Sequence, residues 1–384
     1  MSRFFYVDVI IITMSSGLVS LVARGEQDSH ITGNPSISFW RQNYKQHTNF
    51  SIKPEQLNFI GTFDANQEVT IPIQSKGDLL SYVWIEYPEV GSARNNSKGL
   101  HSRDQNPTEI SLWIGGQKVV EMDTLYIQGV HNVLYRDGDA SCAVTTNDVL
   151  DNAKGTNNNA DHYVLPFFFS QDWTKALPLI AMSNSSVEIR IRCRPGLNIG
   201  SVTPKVYGTF VYLDEAERQF FTSTQHDLLI TQVQYQPASK TDIDYDLTYF
   251  NHPCKAFHIV SGEANGGLWS TEWNFESATL YVNGLPLSDA MSDVYHHTVV
   301  AEKHTSGLPS SALDGVPVYT WPFALNLNKS QPSGSLNMSR VDTAKISLKS
   351  PASGAGNSTL HRVYAVNWNV LRVKQGLAGV AYGS

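Results

Sequence analysis

Charge is scarce in this chain. Asp, Glu, Lys and Arg make up only 16% of its 384 residues, where soluble globular chains carry about 25%. Ser, Thr, Asn, Gln and Gly, or neighbouring subunits, must therefore cover the surface. No long Lys/Arg block is present, and 28 basic against 35 acidic residues leave a formal charge of −7. A groove that tracks phosphates needs the opposite balance, so nucleic acid is not an expected partner. Cysteine is rarer still: Cys142, Cys193 and Cys254 stand far apart, with no C-x-x-C to join a His pair. So few, and an odd number, exclude a disulfide framework and a zinc-finger-type site, and are expected as free thiols. The one apolar run near the amino terminus, Phe4 to Ile12, is broken by Asp8. It is shorter than the ~20 residues a membrane span needs, and no small-x-small cleavage motif follows it directly. Beyond Met14, the residues Leu18, Leu21 and Val22 fall at helical spacing with Gly25 as a stop, which predicts a short amino-terminal helix preceded by an extension.

Catalytic signatures are missing as well. There is no G-x-S-x-G elbow, no phosphate-binding G-x-x-x-x-G-K, no H-E-x-x-H and no dinucleotide fingerprint. Of the twelve histidines only His296-His297 adjoin; on a strand such neighbours face opposite sides, so no metal or other cofactor is expected there. His47 and His252 sit in turn-like contexts that favour structural hydrogen bonding. Asp64, Glu68, Glu86 and Glu109 are the carboxylates that a glycosidase reading would have to bring together. Six N-x-S/T sequons, at Asn49, Asn95, Asn184, Asn328, Asn337 and Asn357, are candidate glycosylation sites, with Asn95 in the most open context.

What the chain has in abundance is period-two patterning. In Val187-Glu188-Ile189-Arg190-Ile191-Arg192 apolar and charged side chains alternate, as a half-buried antiparallel strand requires. Val69 to Ile73, Val233 to Tyr235 and Ile346 to Leu348 repeat the pattern. Gly115-Gly116 and Asn283-Gly284 each stand between apolar runs, the signal of a two-residue hairpin turn with positive φ. A single clear helix is expected at Asp214 to Arg218, with Asp214 as its cap and Glu217 three residues on. Val90 to Asn106, Arg136 to Asp161 and His304 to Pro317 read as long polar loops.

The segments around the hairpins occur twice in the same order. Leu112 to Gly116 parallels Leu280 to Gly284, Pro166-Phe167 parallels Pro322-Phe323, Val187 to Ile191 parallels Ala344 to Leu348, and Lys205-Val206-Tyr207 parallels Arg362-Val363-Tyr364. Offsets near 160 residues are too long for a solenoid repeat and match a whole all-β domain, so two copies of one β-sandwich are expected, joined through the capped helix.

A longer set of strings then bears on family. Leu21 to Asp28, Thr32 to Phe39 and Tyr44 to Phe50 are followed in order by Leu177 to Ala181, Tyr212 to Asp214 with Glu217-Arg218, and Phe250 to Pro253. Gln331 to Gly334, Asn337, Ser339-Arg340, Asn369 to Arg372, Gly376, Gly379, Ala381 and Tyr382 complete the set. Together they resemble the major capsid proteins of nucleocytoplasmic large DNA viruses over essentially everything from Leu18 onward. The resemblance implies an all-β fold of two tandem eight-stranded jelly-roll sandwiches with a short amino-terminal helix. The expected division is an extension and helix at 1–25, jelly rolls at 26–213 and 225–384, and a helical linker at 214–224. It implies a structural, non-enzymatic virion protein that forms homotrimers. These pseudo-hexagonal capsomers would tile an icosahedral shell assembled in the host cytoplasm. Expected partners are the chain itself, neighbouring capsomers, minor capsid and penton proteins, and an inner viral membrane reached through residues 1–25. The alternatives are a minor capsid paralogue of the same fold, or a carbohydrate-binding or carbohydrate-cleaving double β-sandwich.

Overall fold

A computed structural model describes residues 21, 23–42, 44–87, 107–135, 161–195, 197, 203–261, 273–305, 318–351 and 361–383. The chain divides into two units, Met1–Thr48 and Asn49–Ser384. In the first, Ser29–Thr32 forms one helical turn without buried side chains. Leu21 is helical, while the rest of the expected helix up to position 20 lies outside the described residues. The second unit holds both sandwiches.

The first sandwich is built from β1 (Phe50–Leu57), β2 (Glu68–Pro72), β3 (Leu79–Tyr87), β4 (Glu109–Ile114), β5 (Gln117–Asp123), β6 (Asp161–Leu165), β7 (Val187–Arg192) and β8 (Lys205–Leu213). One sheet has the order β1-β8-β3-β6 and the other β2-β7-β4-β5. All of these pairings are antiparallel, and each sheet interleaves strands distant in sequence, as a jelly roll does. The alternation expected of Val187–Arg192 is present: Val187, Ile189 and Ile191 are buried while their neighbours face outward. Those three side chains join Val69, Ile71, Leu112 and Phe210 in one core, where each large aliphatic residue removed from water is worth roughly 1.5–3 kcal/mol.

The second sandwich repeats the plan. Its strands are β9 (His226–Pro237), β10 (Asp244–Asp246), β11 (Pro253–Ser261), β12 (Ser277–Val282), β13 (Leu285–Pro286), β14 (Val318–Pro322), β15 (Leu336–Asn337), β16 (Ala344–Lys349), β17 (His361–Lys374) and β18 (Leu377–Val380). One sheet runs β10-β16-β12-β13, the counterpart of β2-β7-β4-β5. In the other, β14, β11, β17 and β9 correspond to β6, β3, β8 and β1, with β15 and β18 added at its margins. The fold is a double jelly roll. Phe257, Ile259, Leu280, Ile346 and Val363 form a second, separate core.

Both hairpin turns have the expected geometry. Gly115 and Gly116 adopt φ of 58° and 80°, and Asn283 and Gly284 adopt 50° and 79°, the left-handed pair that matches strand twist in a two-residue turn. Between the sandwiches runs the helix Glu215–Ser223, whose first turn is closed by Asp214 accepting the Glu217 N–H at 2.9 Å.

Two expectations need correction. Asp214 to Arg218 is not the one clear helix, because 124–135 and 293–304 are helical too, in π geometry over Ile127–Tyr135 and Tyr295–Val299. The first follows the second strand of its hairpin directly, so its apolar residues read as a continuation of strand rather than as a helical face; the second is separated from β13 by six residues. His296 and His297 thus lie on a helix, not a strand. Both Nδ1 atoms hydrogen-bond backbone oxygens of β14, at Thr320 and Val318. His252 is buried in a turn at φ 69°, where its backbone N–H, not its imidazole, donates to Ser339 Oγ at 2.9 Å. The loops 90–106 and 136–160, and 306–317, lie outside the described residues.

Candidate assembly surfaces

The outer face of the β14-β11-β17-β9 sheet is as buried as its inner face. Alternation along β11 and β17 sends Phe257, Ile259, Val363 and Ala365 inward, while Ala256, Val260, Tyr364 and Val366 point the other way and merge with the core of the first sandwich. A sheet covered on both sides loses its period-two signature. Along β9, accordingly, Val233, Gln234 and Tyr235 are all half-buried instead of alternating. What covers this face is the β5 edge and the helix at 124–135 of the first sandwich.

Polar contacts fix the register of that junction. Asp123, fully buried at the end of β5, accepts the Tyr126 N–H at 2.6 Å and the Tyr364 hydroxyl at 2.8 Å, and pairs with Arg362. Burial pushes its carboxyl up, against the pull of Arg362 and these donors. Tyr126 also packs on Tyr364, with ring centroids 5.4 Å apart. At the far end of the same helix Tyr135 Oη is hydrogen-bonded to His258 Nε2 at 2.8 Å, and His258 Nδ1 to Thr320 Oγ1 at 2.9 Å. Burial pushes the His258 imidazole down to about 3. Lys255 lies against the rings of Tyr135 and Trp368, at 5.2 and 5.1 Å from their centroids. Burial, reinforced by Lys175, pushes it down to about 7. A third set of contacts comes from the carboxyl-terminal hairpin: Asn184 N–H donates to the Gly376 carbonyl and Ala378 N–H to Ser185 Oγ, each at 2.9 Å.

The other sheet face with this composition is the outer side of β1-β8-β3-β6. One end is covered by the linker helix, where Leu79, Ala176 and Val211 pack with Leu213 and Phe221. At the other end Tyr82 and Tyr207 are half-buried beside exposed Pro54 and Gln56.

Among the described residues no group of three or more His, Cys, Asp or Glu is gathered at metal-binding distance. The four carboxylates of the glycosidase reading do not converge. Glu68 and Glu109 lie in register on either side of Arg192, whose guanidinium is 3.6 Å from Glu109, but Glu86 belongs to the opposite sheet. Cys193 and Cys254 are buried free thiols, and Cys142 lies outside the described residues. Of the sequons, Asn49, Asn184 and Asn337 are exposed and Asn328 half-buried, while Asn95 and Asn357 fall outside the described residues.

Known proteins agree with this architecture. Residues 38–228 match the model of the major capsid protein N-terminus, and residues 217–379 that of the large eukaryotic DNA virus major capsid protein. The chain belongs to the major capsid protein family of large eukaryotic DNA viruses. It is 28% identical to the major capsid protein of Pyramimonas orientalis virus and 26% identical to that of Paramecium bursaria Chlorella virus 1. Each alignment covers 97% of this chain and all of the relative. Among solved structures, a capsid chain of the PBCV-1 virus superposes with a TM-score of 0.74 at 23% identity, over 90% of this chain and all of that one. The Faustovirus major capsid protein superposes at 0.59 with 11% identity, over 92% and 95% of the two chains. This is therefore a structural capsid protein of a large DNA virus.

Proposed function

We propose that the chain is the repeating unit of an icosahedral shell, in which three copies close into a pseudo-hexagonal capsomer and capsomers tile side by side. The observation that supports this most is the duplication itself. Two sandwiches of the same sheet order stand on one fixed junction, so three chains present six similar blocks, a shape that fills a hexagonal lattice. Scarce charge fits a molecule with large lateral contacts, because charged side chains are depleted from interface cores. In this reading 26–213 and 225–384 are the two blocks and 214–224 is the joint between them. Residues 1–25 reach toward an inner membrane. Minor capsid and penton proteins complete the shell in the host cytoplasm, and the protein performs no catalysis and holds no cofactor. The exposed sequons Asn49, Asn184 and Asn337 are open to glycosylation, which intact-mass measurement of virion protein would register. The assembly reading is tested by mass photometry of the purified full chain. The expected species has three times the 42.6 kDa of one copy; a chain that stays monomeric as its concentration rises contradicts it.

A further inference from the structure

Two lysines are buried where the sandwiches meet, with little to neutralise them. Lys175 closes the single helical turn Trp173–Lys175 of the first sandwich and is 8% exposed; Lys255 lies in β11 of the second and is 3% exposed. Each ammonium lies against the ring of Trp368, 5.2 and 5.1 Å from its centroid, so the two are no farther apart than those lengths laid end to end. An ammonium carries three N–H donors. Lys255 Nζ donates once, to the Lys329 carbonyl at 3.3 Å. Lys175 Nζ, itself out of contact with solvent, has no acceptor among the described residues. Most donors of the pair are therefore unmet in a dry site, where leaving a charged donor unmet costs more than leaving a neutral one.

The missing charge is not supplied nearby. Asp172 is the carboxylate that acts on Lys175, but it is engaged elsewhere, accepting the Ser330 hydroxyl at 2.5 Å and the Thr174 N–H at 3.0 Å. The charged group that acts on Lys255 is Lys175 itself, a like charge. Burial accordingly holds both ammonium groups below the ordinary lysine value. The Trp368 ring attracts both cations but brings no counter-charge. Buried charges are normally paired. Deprotonation would remove the charge and still leave the N–H groups without acceptors, whereas an oxyanion meets charge and donors together.

We propose that Lys175 and Lys255 form a binding site for one small inorganic oxyanion, of the phosphate or sulfate kind, at the junction of the two sandwiches. Lys175 is its anchor, and Lys255 supplies the second positive charge beside Trp368. Several oxygens suit donors that point in different directions better than a single halide does. Burial sets the size of the ligand. Trp173 and Thr174, next to Lys175, are exposed, so a free ion has a short path in, while a phosphate carried on a polymer or a lipid has none. The bound ion ties the first sandwich to the second. All the groups belong to one chain, so the site is independent of how copies assemble.

Differential scanning calorimetry of the full chain tests this, in chloride buffer with and without inorganic phosphate at constant ionic strength. The wild-type melting temperature is expected to rise saturably, by about 4 °C at a hundredfold excess of phosphate over its Kd. Sulfate should act in the same way and added chloride should not. Lys175→Met keeps the apolar stem and removes the ammonium. Its midpoint in chloride buffer should be no lower than that of the wild type, because a stranded charge is gone, and phosphate should not move it. Isothermal titration of phosphate into the wild type should count one ion per chain, a result that stands even if the variant fails to fold. A wild type without saturable response overturns the proposal and leaves two partly deprotonated amines in its place. Equal responses in wild type and variant mean an adventitious ion only, and also overturn it. Chloride acting as strongly as phosphate refutes the oxyanion.

Discussion

Replacing Asp123 by Asn removes one charge from the centre of the internal junction while keeping the shape of the side chain. The carboxylate is 0% exposed and its partner Arg362 only 15%, so the substitution leaves a guanidinium in a nearly dry site facing a neutral amide. Removing one member of a buried ion pair costs about 3–5 kcal/mol. The donors from Tyr126 and Tyr364 retain an oxygen to bind, which places the expected loss toward the lower end. With an unfolding entropy of about 2 cal/mol/K per residue, a unit the length of Asn49–Ser384 loses roughly 0.7 kcal/mol per degree near its midpoint, so the melting temperature should fall by about 4–7 °C. Differential scanning calorimetry measures it. The same experiment on Arg362→Met and on the double substitution closes a cycle. Because the second change removes the stranded charge, the double variant should recover at least about 1 kcal/mol relative to the sum of the singles. A midpoint within about 1 °C of wild type for Asp123→Asn, or strictly additive losses, would refute the view that this pair holds the two sandwiches in register.

Acid should weaken the fold before its carboxylates titrate. Burial holds His258, His296 and His361 down at about 3, 4 and 3, below the ordinary value of 6.5, so below that pH the unfolded chain takes up protons that the native one refuses. Stability present above pH 6.5 is then lost as pH falls toward 4, at about 1.4 kcal/mol per pH unit per histidine. Urea midpoints that are flat between pH 7 and 5 would contradict this. Cys193, its thiol pushed up to about 12 by burial, and Cys254, pushed higher still, should resist alkylation in the native protein and label fully in urea, as read by peptide mass mapping. Substituting Asp214 by Ala removes the linker helix cap and should cost about 1 kcal/mol, visible as a small downward shift in the urea midpoint without change in slope.

How much of this was legible in the sequence depended on whether a strand meets water. Val187–Arg192 has one wet and one dry face, so its alternation is clean, and the Gly115-Gly116 and Asn283-Gly284 turns announce their hairpins because only such residues accept those φ values readily. The duplication could be read because matching positions in two similar cores select similar side chains. The junction could not. β9 alternates in sequence, Gln232-Val233-Gln234-Tyr235, yet these four are all half-buried, so its pattern gives no hint of the second body packed on it, and the helix at 124–135 hides among apolar residues that continue a strand. Asp123 and its partners Arg362 and Tyr364 are separated by 239 and 241 positions, so nothing local marks them as a network. Leu287, Val294 and Val299 look in sequence like ordinary core residues; only their exposure in the fold singles them out.

The central claim is that one chain supplies two kindred blocks of a six-block ring. Negative-stain electron microscopy of the purified wild-type protein measures it most directly. Class averages are expected to show a roughly hexagonal particle with three-fold symmetry and six similar lobes. Particles with only two lobes, or a closed ring of any other symmetry, would contradict it.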